Sequence, residues 1–281
     1  MTAMDTPKVS VIVPTRDRSS MLRNCLEAIK VQTYPNVEIV VVDGNSVKDD
    51  VTIAREYTEK VFVFEKKGDH RCAQRNLGAR KADGEYILII DSDMELSPGV
   101  IGSCVAKMEA EPNLRGIIIP EESFGDGFWA QCKRLEKSFY IGVDAVEAAR
   151  FFRKRDFEAV GGYDESMISG EDWDLSDRVE TLGPLGRISD LIYHNEGRLG
   201  LWKTLRKKYY YARKAGAYTT KSVDISTAQK RKIGILGRYH LFLSDPRKLF
   251  RNPLVGIGML FMKTGEFLFG GIGYIFKKTT R

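Results

Sequence analysis

Two aspartates spaced one residue apart, Asp91 and Asp93, follow the apolar run Tyr86-Ile87-Leu88-Ile89-Ile90. Bounded by Asp83-Gly84 before it and Ser97-Pro98 after it, such a run reads as a buried central strand of a parallel sheet. Ligands of open α/β sheets sit beyond the carboxyl ends of the strands, so both carboxylates would project into a ligand crevice. There, two hard oxygen ligands suit Mg2+ or Mn2+ carrying a substrate's phosphates. The competing reading is a solvated turn in which an aspartate caps the next helix. A second acidic group, Glu171 and Asp172 in Gly-Glu-Asp-Trp-Asp-Leu at 170–175, opens a helical pattern, where the helix dipole alone favours carboxylates.

The elements that must position these residues are legible from apolar periodicity. Val9–Val13 is a short strand closed by Pro14-Thr15, and residues 21–31 carry apolar residues at helical spacing (Leu22, Cys25, Leu26, Ile29). Val37–Val42 is a second buried strand ending at Asp43-Gly44-Asn45-Ser46. It is followed by a helix over 51–57, a strand over 61–64 and a helix over 72–82 that leads into the strand carrying the paired aspartates. Alternation of this kind predicts an α/β fold with a doubly wound, mostly parallel sheet and right-handed crossovers. Its first, second and fourth strands end in polar or acidic residues that line one crevice. Further on, residues 100–109 read as a helix, 115–119 as a strand, 128–141 as a roughly helical mixture of aromatic and basic residues, and 157–163 as a segment ending in a Gly-Gly turn.

At 281 residues the chain can bury a sizeable core, and its 43% hydrophobic and 29% charged residues are ordinary for a globular protein and exclude disorder. Charge is unevenly spread. Residues 201–281 hold 18 Lys and Arg against 3 Asp and Glu, and residues 1–200 hold 26 against 35, so the net +6 conceals an acidic body and a strongly basic tail. Anionic partners for the tail are phospholipid head groups, lipid phosphates or nucleic acid. Cys25, Cys72, Cys104 and Cys132 have no metal-ligand spacing, and read as buried thiols of a reduced, cytosolic compartment. No secretory signal is read before Val9, which places the chain on the cytoplasmic side.

Taken together, the segments Val-Ser-Val-Ile-Val-Pro-Thr at 9–15, Val-Val-Val-Asp-Gly-Asn-Ser at 40–46, Arg-Asn-Leu-Gly-Ala-Arg-Lys-Ala-Asp-Gly-Glu-Tyr at 75–86, Asp-Ser-Asp at 91–93, Gly-Gly-Tyr-Asp-Glu at 161–165 and Gly-Glu-Asp-Trp-Asp-Leu at 170–175 resemble a family-2 glycosyltransferase of the GT-A fold. The resemblance covers about residues 8–200. It implies a Rossmann-like GT-A catalytic domain over 1–200, with a nucleotide-sugar half over 1–95 and an acceptor half over 96–200, followed by a basic, amphipathic helical region over 201–281. The implied reaction is transfer of a hexose from a nucleotide-diphosphate sugar with inversion, dependent on Mg2+ or Mn2+. Asp93, with Asp91 nearer the ribose or a metal-bound water, would hold the cation that neutralises the leaving group, and related enzymes close the metal site with a histidine near His194. Asp172 matches the family's base, with its neighbour Glu171 as the alternative. Asp43 matches the acid that binds the nucleotide base. Pro14, Thr15, Arg16 and Asp17 would line the same pocket, Ser92 and Arg75 would contact the donor, and Arg198 and Lys203 would reach the departing diphosphate. Arg16-Asp17 replaces the family's usual aromatic and Asn, which puts base or ribose recognition there in doubt. For Arg75 the alternative is a surface salt bridge, and for His194 a satisfied hydrogen-bonding residue.

The segment 201–221 is dense in cations, Trp202 and tyrosines, which suits a helix lying on an anionic membrane; a nucleic-acid arm uses the same residue types and is the weaker reading. Residues 253–276 form an apolar stretch long enough to span a bilayer, interrupted by Lys263 and Glu266, whose i, i+3 spacing lets them pair. A helix lying in the cytoplasmic leaflet is favoured over a span or a buried soluble pair. The acceptor would then be a membrane-anchored polyprenyl phosphate or lipid-linked oligosaccharide, in polysaccharide or glycolipid synthesis. A haloacid-dehalogenase-type hydrolase also carries Asp-x-Asp after a strand but normally needs Thr or Val where Glu95 stands, and residues 14–19 lack the Gly- and Lys-rich loop of a nucleotidyltransferase. A catalytically inactive nucleotide-sugar-binding subunit of a glycosyltransferase complex is the nonenzymatic alternative.

Overall fold

The computed structural model describes residues 6–66, 70–214 and 233–276. Numbered in chain order, its elements begin with β1 (Val9–Thr15), α1 (Ser19–Lys30), β2 (Val37–Asp43), α2 (Asp50–Arg55), β3 (Val61–Val63), α3 (Arg71–Lys81), β4 (Tyr86–Ile89), β5 (Met94–Leu96), α4 (Val100–Ala110) and β6 (Gly116–Ile118). They continue with β7 (Glu121–Asp126), α5 (Phe128–Ser138), β8 (Ala149–Arg153), α6 (Lys154–Ala159), α7 (Glu171–Glu180), β9 (Leu185–Arg187), β10 (Ile192–Arg198), α8 (Leu201–Lys214), α9 (Ile235–Leu243), α10 (Pro246–Leu249) and α11 (Pro253–Ile275). The chain forms two compact units. One comprises Met1–Pro120, Ala148–Ser166 and Glu171–Tyr193; the other comprises Glu121–Glu147, Met167–Gly170 and His194–Arg281.

The first unit is built on a seven-stranded sheet of order β3-β2-β1-β4-β8-β6-β9. Pairs β1–β2, β1–β4, β2–β3 and β6–β9 are parallel, while β8 runs antiparallel to both β4 and β6. Strands β2, β1 and β4 are thus adjacent, as their polar carboxyl ends require if they line one crevice. Each of these strands is apolar and buried through most of its length because helices cover both faces. One face packs Val9, Val11, Val13, Tyr86 and Leu88 against Leu22, Leu26 and Ile101; the other packs Ile12, Val40, Ile87 and Ile89 against Cys72, Ala79, Leu175 and Val179. Close packing of α3 on the sheet explains Gly78, where an added Cβ would stand 2.4 Å from the Ile12 side chain. All four cysteines are buried free thiols.

The second unit packs α5, α8 and α11 together, with Cys132, Phe139, Tyr140, Phe242, Leu249, Val255, Met259 and Met262 in its core. Glycines on α11 let the neighbours approach: a Cβ at Gly258 would meet Phe128, one at Gly265 would meet Leu205, and one at Gly273 the Tyr209 carbonyl. Asn252 caps the helix by accepting from the Val255 N–H, with Pro253 in its first turn. Lys263 and Glu266 do pair, at 2.9 Å, but within a larger cluster. Lys263 also reaches Glu136 of α5 at 2.6 Å, and Lys133 of α5 reaches Glu136 at 2.8 Å and Glu266 at 2.9 Å. The two charges that interrupt the apolar stretch therefore face the protein interior. Lys214 closes α8 as assigned; the remainder of the basic segment read over 201–221, together with Lys277, Lys278 and Arg281, lies outside the described residues.

Burial alone would raise the Glu266 carboxyl, but Lys133, Lys208 and Lys263 outweigh it and hold the group down to about 2. A depressed folded-state value contributes stability above the unfolded value of 4.5 and loses it as pH falls toward 2. Lys263→Met, which removes from both buried carboxylates, Glu136 and Glu266, a cation bonded to each, is expected to destabilise the protein by about 3–5 kcal/mol. Thermal unfolding followed by circular dichroism checks this, and the wild-type midpoint should fall as pH is lowered from about 4.5 to 2.

Candidate active site

The first unit gathers its chemistry at the carboxyl ends of β1, β2 and β4. β1 ends at buried Thr15 and β2 at Asp43, which is 1% exposed. A single side chain, Asp50 at the start of α2, ties the two loops together. It accepts hydrogen bonds from the Thr15 hydroxyl at 2.7 Å, the Arg18 N–H at 3.0 Å and the Ser19 hydroxyl at 2.7 Å. Burial would raise its pKa; these donors, with Ser46, reverse the shift and lower it. Ser46 in turn donates its N–H to Asp43 at 2.9 Å and its hydroxyl to the same carboxylate, while accepting from the Asp17 N–H at 2.9 Å. Asp17 and Asn45 adopt positive φ, 54° and 60°, the left-handed region that Asp and Asn tolerate best among residues with a Cβ. Pro14 is buried, Arg16 is exposed, and Gly44 leaves room beside Gln74, whose amide nitrogen would stand 2.5 Å from an added Cβ.

Beyond β4, Ser92 is buried while Asp91 and Asp93 keep part of their surface. Asp93 is paired with Arg18 at 3.0 Å, and the Arg18 side chain is 45% exposed. Asp91 accepts from Arg75 Nη2 at 2.6 Å. Arg75 on α3 is fully buried and also gives Nη1 to Asp172 at 3.1 Å and to Glu171 at 3.3 Å, so one guanidinium gathers three carboxylates. Burial of this depth excludes the surface salt bridge that the sequence allowed for Arg75. Burial would raise the Asp91 carboxyl, yet Arg75 and then Arg150 outweigh it and hold the group well below the carboxylate range. For Arg75, burial would lower the pKa and its carboxylate partners raise it well above the ordinary guanidinium value.

The geometry of the Glu171-Asp172 pair comes from residues the sequence did not mark as functional. Tyr163, in the Gly-Gly-Tyr turn, donates its hydroxyl to Asp172 Oδ1 at 3.0 Å, and its ring lies under the Arg75 guanidinium at 5.0 Å. Asn76, next to Arg75 on α3, fixes that turn by donating to the Tyr163 carbonyl at 2.9 Å and accepting from the Tyr163 N–H at 2.8 Å. Ser176 accepts from the Ala149 N–H at 3.0 Å and donates to the Asp172 carbonyl at 2.8 Å, anchoring α7 to β8. His194 and Arg198 lie on β10 and Lys203 is exposed on α8, all three in the second unit.

Asp91 and Asp93 have the donor chemistry for Mg2+ or Mn2+, two hard carboxylates with exposed surface. Among the described residues no group of three or more His, Cys, Asp or Glu is placed to hold a metal. A pair is nevertheless an adequate protein share, because Mg2+ characteristically takes one or two carboxylates and completes its shell with phosphate oxygens and water. The residues therefore fit a cation that arrives with a diphosphate.

The fold and the sequence are both similar to those of known proteins. Residues 10–159 match the model of glycosyl transferase family 2. The chain belongs to that family. The match ends before Glu171 and Asp172. Among solved structures, a mannosyltransferase from Pyrobaculum calidifontis in complex with GDP-Man and Mn2+ superposes with a TM-score of 0.63 at 16% identity, over 98% of this chain and 89% of that one. The S. aureus TarS 1–349 complex with UDP-GlcNAc gives 0.55 at 14% identity, over 95% and 90%. These likenesses establish the GT-A type of the fold. In sequence, the chain is 27% identical over 216 residues to the GalNAc(5)-diNAcBac-PP-undecaprenol beta-1,3-glucosyltransferase of Campylobacter jejuni, covering 74% of this chain and 63% of the relative. It is 28% identical over 211 residues to the O-antigen biosynthesis protein RfbC of Myxococcus xanthus, covering 63% of this chain and 16% of RfbC. The chain thus spans less than two thirds of the length of either relative.

Arg75→Met keeps the bulk of the side chain and strands Asp91, Glu171 and Asp172 around an apolar group. Loss of about 3–5 kcal/mol of stability is expected, read as a lowered urea midpoint. Tyr163→Phe, which removes one neutral hydrogen bond to a charged acceptor, should cost about 1.5–3 kcal/mol in the same assay.

Proposed function

We propose that this protein is a glycosyltransferase that moves a hexose from a nucleotide-diphosphate sugar to a membrane-anchored acceptor with inversion at the anomeric carbon. The acceptor is a polyprenyl phosphate or lipid-linked oligosaccharide, at the cytoplasmic face of the cell membrane, in polysaccharide or glycolipid synthesis. The reading is carried by one observation: Arg75 holds Asp91, at the end of β4, and Asp172, at the start of α7, on a single guanidinium. Family membership and the undecaprenol-linked substrate in the name of the Campylobacter relative support the reaction and acceptor class. The donors in the neighbouring structures, GDP-Man and UDP-GlcNAc, support a nucleotide sugar.

In this reading Asp43 and the loop after β1, with Pro14, Thr15, Arg16 and Asp17, receive the nucleoside, and Asp91 and Ser92 orient the ribose and diphosphate. Asp93, with Asp91, would hold Mg2+ or Mn2+, which would supply charge neutralisation to the departing diphosphate. Arg18 is the exposed counter-charge that leaves Asp93 for the diphosphate. Asp172 is the base and Glu171 its buried neighbour. Its Oδ1 is occupied by Arg75 and Tyr163, which leaves Oδ2, 4.0 Å from Arg150, as the oxygen to take the proton, whereas Glu171 keeps only 8% of its side-chain surface. With a lipid-linked oligosaccharide, the acceptor hydroxyl oxygen bonds to the anomeric carbon as its proton passes to Asp172, and the carbon–oxygen bond to the diphosphate breaks with the electron pair leaving on the diphosphate; a polyprenyl phosphate attacks through an oxygen that is already ionised and brings no proton for Asp172 to take. Residues 1–200 carry this chemistry and residues 201–281 carry the chain to the lipid surface.

Purified full-length protein, incubated with a panel of nucleotide sugars and polyprenyl-phosphate acceptors in liposomes containing Mn2+, should release nucleotide diphosphate only when acceptor is present. In the same assay with a lipid-linked oligosaccharide, whose acceptor atom is a hydroxyl, Asp172→Ala should lower kcat by at least about 10²-fold, as expected for loss of a general base, with donor affinity nearly unchanged. Asp93→Ala should weaken donor binding and abolish its dependence on Mn2+. Donor binding without turnover across a broad panel would instead make the chain a nucleotide-sugar-binding subunit.

A further inference from the structure

The outer face of α11 is apolar along its whole length. Leu254, Ile257, Phe261, Leu268, Ile272 and Ile275 are exposed, and their spacing by threes, fours and a seven places them on one stripe of the helix. The opposite stripe is buried: Val255, Met259, Met262, Lys263 and Glu266 face α5 and the core of the second unit. Lys263 and Glu266 are held there by Glu136 and Lys133 of α5, so rotation of the helix to hide the outer stripe would break the two buried ion pairs that join the helices. Thr264, the polar residue on the outer side, has its hydroxyl satisfied by the Leu260 carbonyl and by Tyr239, and needs no water. Leu236 and Leu243 on α9 are exposed as well.

We propose that this stripe is a membrane-docking surface on which α11 lies in the plane of an anionic leaflet, with its polar pairs turned away from the lipid. The proposal deepens the membrane-side reading above and rests on it for the choice of a lipid surface. Charge identifies the occupant. Arg247 and Arg251 are exposed just before the stripe begins, and Asp245 is the only exposed acid between residues 233 and 276. Lipid phosphates complement such a rim, each nearby cation favouring an anionic surface. A second copy complements it poorly, because the same face offers one exposed acid, Asp245, against the exposed cations Arg247, Lys248 and Arg251. In-plane docking follows from the two faces: a helix crossing the bilayer as a lone span would present Lys263 and Glu266 at its middle, whereas here both are neutralised against α5.

The test is flotation of the full chain, without nucleotide sugar, on vesicles of phosphatidylcholine alone or mixed with phosphatidylglycerol. Wild-type protein should float with the mixed vesicles. The Ile257→Ser, Phe261→Ser, Leu268→Ser triple variant should partition at least tenfold less while keeping its thermal midpoint, since these side chains are exposed. Arg247→Glu with Arg251→Glu should lose the preference for the anionic mixture. On bound protein, Phe261→Trp should be quenched more by bromines near the lipid head group than by bromines near the chain end; the reverse order would place α11 across the bilayer and overturn in-plane docking. Wild-type protein that stays at the bottom, or a triple variant that floats like it, overturns the proposal. Sedimentation of wild type as a dimer and the triple variant as a monomer, with neither bound to vesicles, assigns the face to a second copy. Because no donor is present, none of these outcomes depends on whether the chain transfers sugar.

Discussion

A fully buried guanidinium is the constraint on which the site depends. Removing a cation from water costs several kcal/mol unless counter-charges meet it with good hydrogen-bond geometry. Arg75 meets that requirement by drawing in carboxylates from two distant parts of the chain, Asp91 and the Glu171-Asp172 pair. The requirement works in both directions: carboxylates held this close to one another would repel without the cation between them. Strand β4 must therefore end where α7 begins. Around this anchor the neutral groups fall into line, with Asn76 setting the Gly-Gly-Tyr turn and Tyr163 completing the shell of Asp172.

The same construction gives preorganisation. A base is useful when its lone pair already points at the hydroxyl it will deprotonate, and a carboxylate on a free side chain spends most of its time elsewhere. Asp172 has one oxygen fixed by two donors and the backbone of its helix pinned by Ser176. On the donor side, Asp50 does the corresponding task for the loops after β1 and β2, holding Thr15, Arg18, Ser19 and Ser46 on one carboxylate. Neither Asp50 nor Tyr163 needs to touch a substrate to matter; each sets where another group points.

How much of this was legible in the sequence follows from the range of the forces involved. The buried strands β1, β2 and β4 announce themselves as apolar runs, and the helices α1, α3 and α4 by periodicity, because burial on a sheet leaves a local pattern. The three-residue strands β5 (Met-Glu-Leu) and β9 (Leu-Gly-Arg) break their apolar residues with Glu95, Gly186 and Arg187 and carry no such run, whereas β3 (Val-Phe-Val) and β6 (Gly-Ile-Ile), equally short, do. β10, Ile-Tyr-His-Asn-Glu-Gly-Arg, buries only Ile192 fully and so has neither an apolar run nor a clean alternation. At the site, Asp91, Asp93, Glu171 and Asp172 stood out by type and position. The role of Arg75 did not, because its partner Asp172 lies 97 residues away and an ion pair across that distance has no local signature. The one available hint was adjacency: Arg75 and Asn76 are consecutive, and the Gly-Gly-Tyr-Asp-Glu segment they bind directly precedes the acidic pair.

Two of the ionic clusters among the described residues differ in a way that separates chemistry from architecture. In the second unit, Lys133 and Lys263 face Glu136 and Glu266, two cations against two anions, each anion bridging both cations. Lys208 adds to the attraction on Glu266, and the set fixes which face of an otherwise apolar helix points inward. In the first unit Arg75 serves three carboxylates, and Arg150 reaches Asp172 only at 4.0 Å. Anions there outnumber the cations bound to them, before Asp93 is counted. An excess of negative charge at the end of a buried strand is costly for the folded state and persists where something positive is meant to join it, whether the exposed Arg18 or a divalent cation with its phosphates. In the proposed reading this imbalance, rather than the number of charges, makes the first cluster the place where a ligand completes the structure.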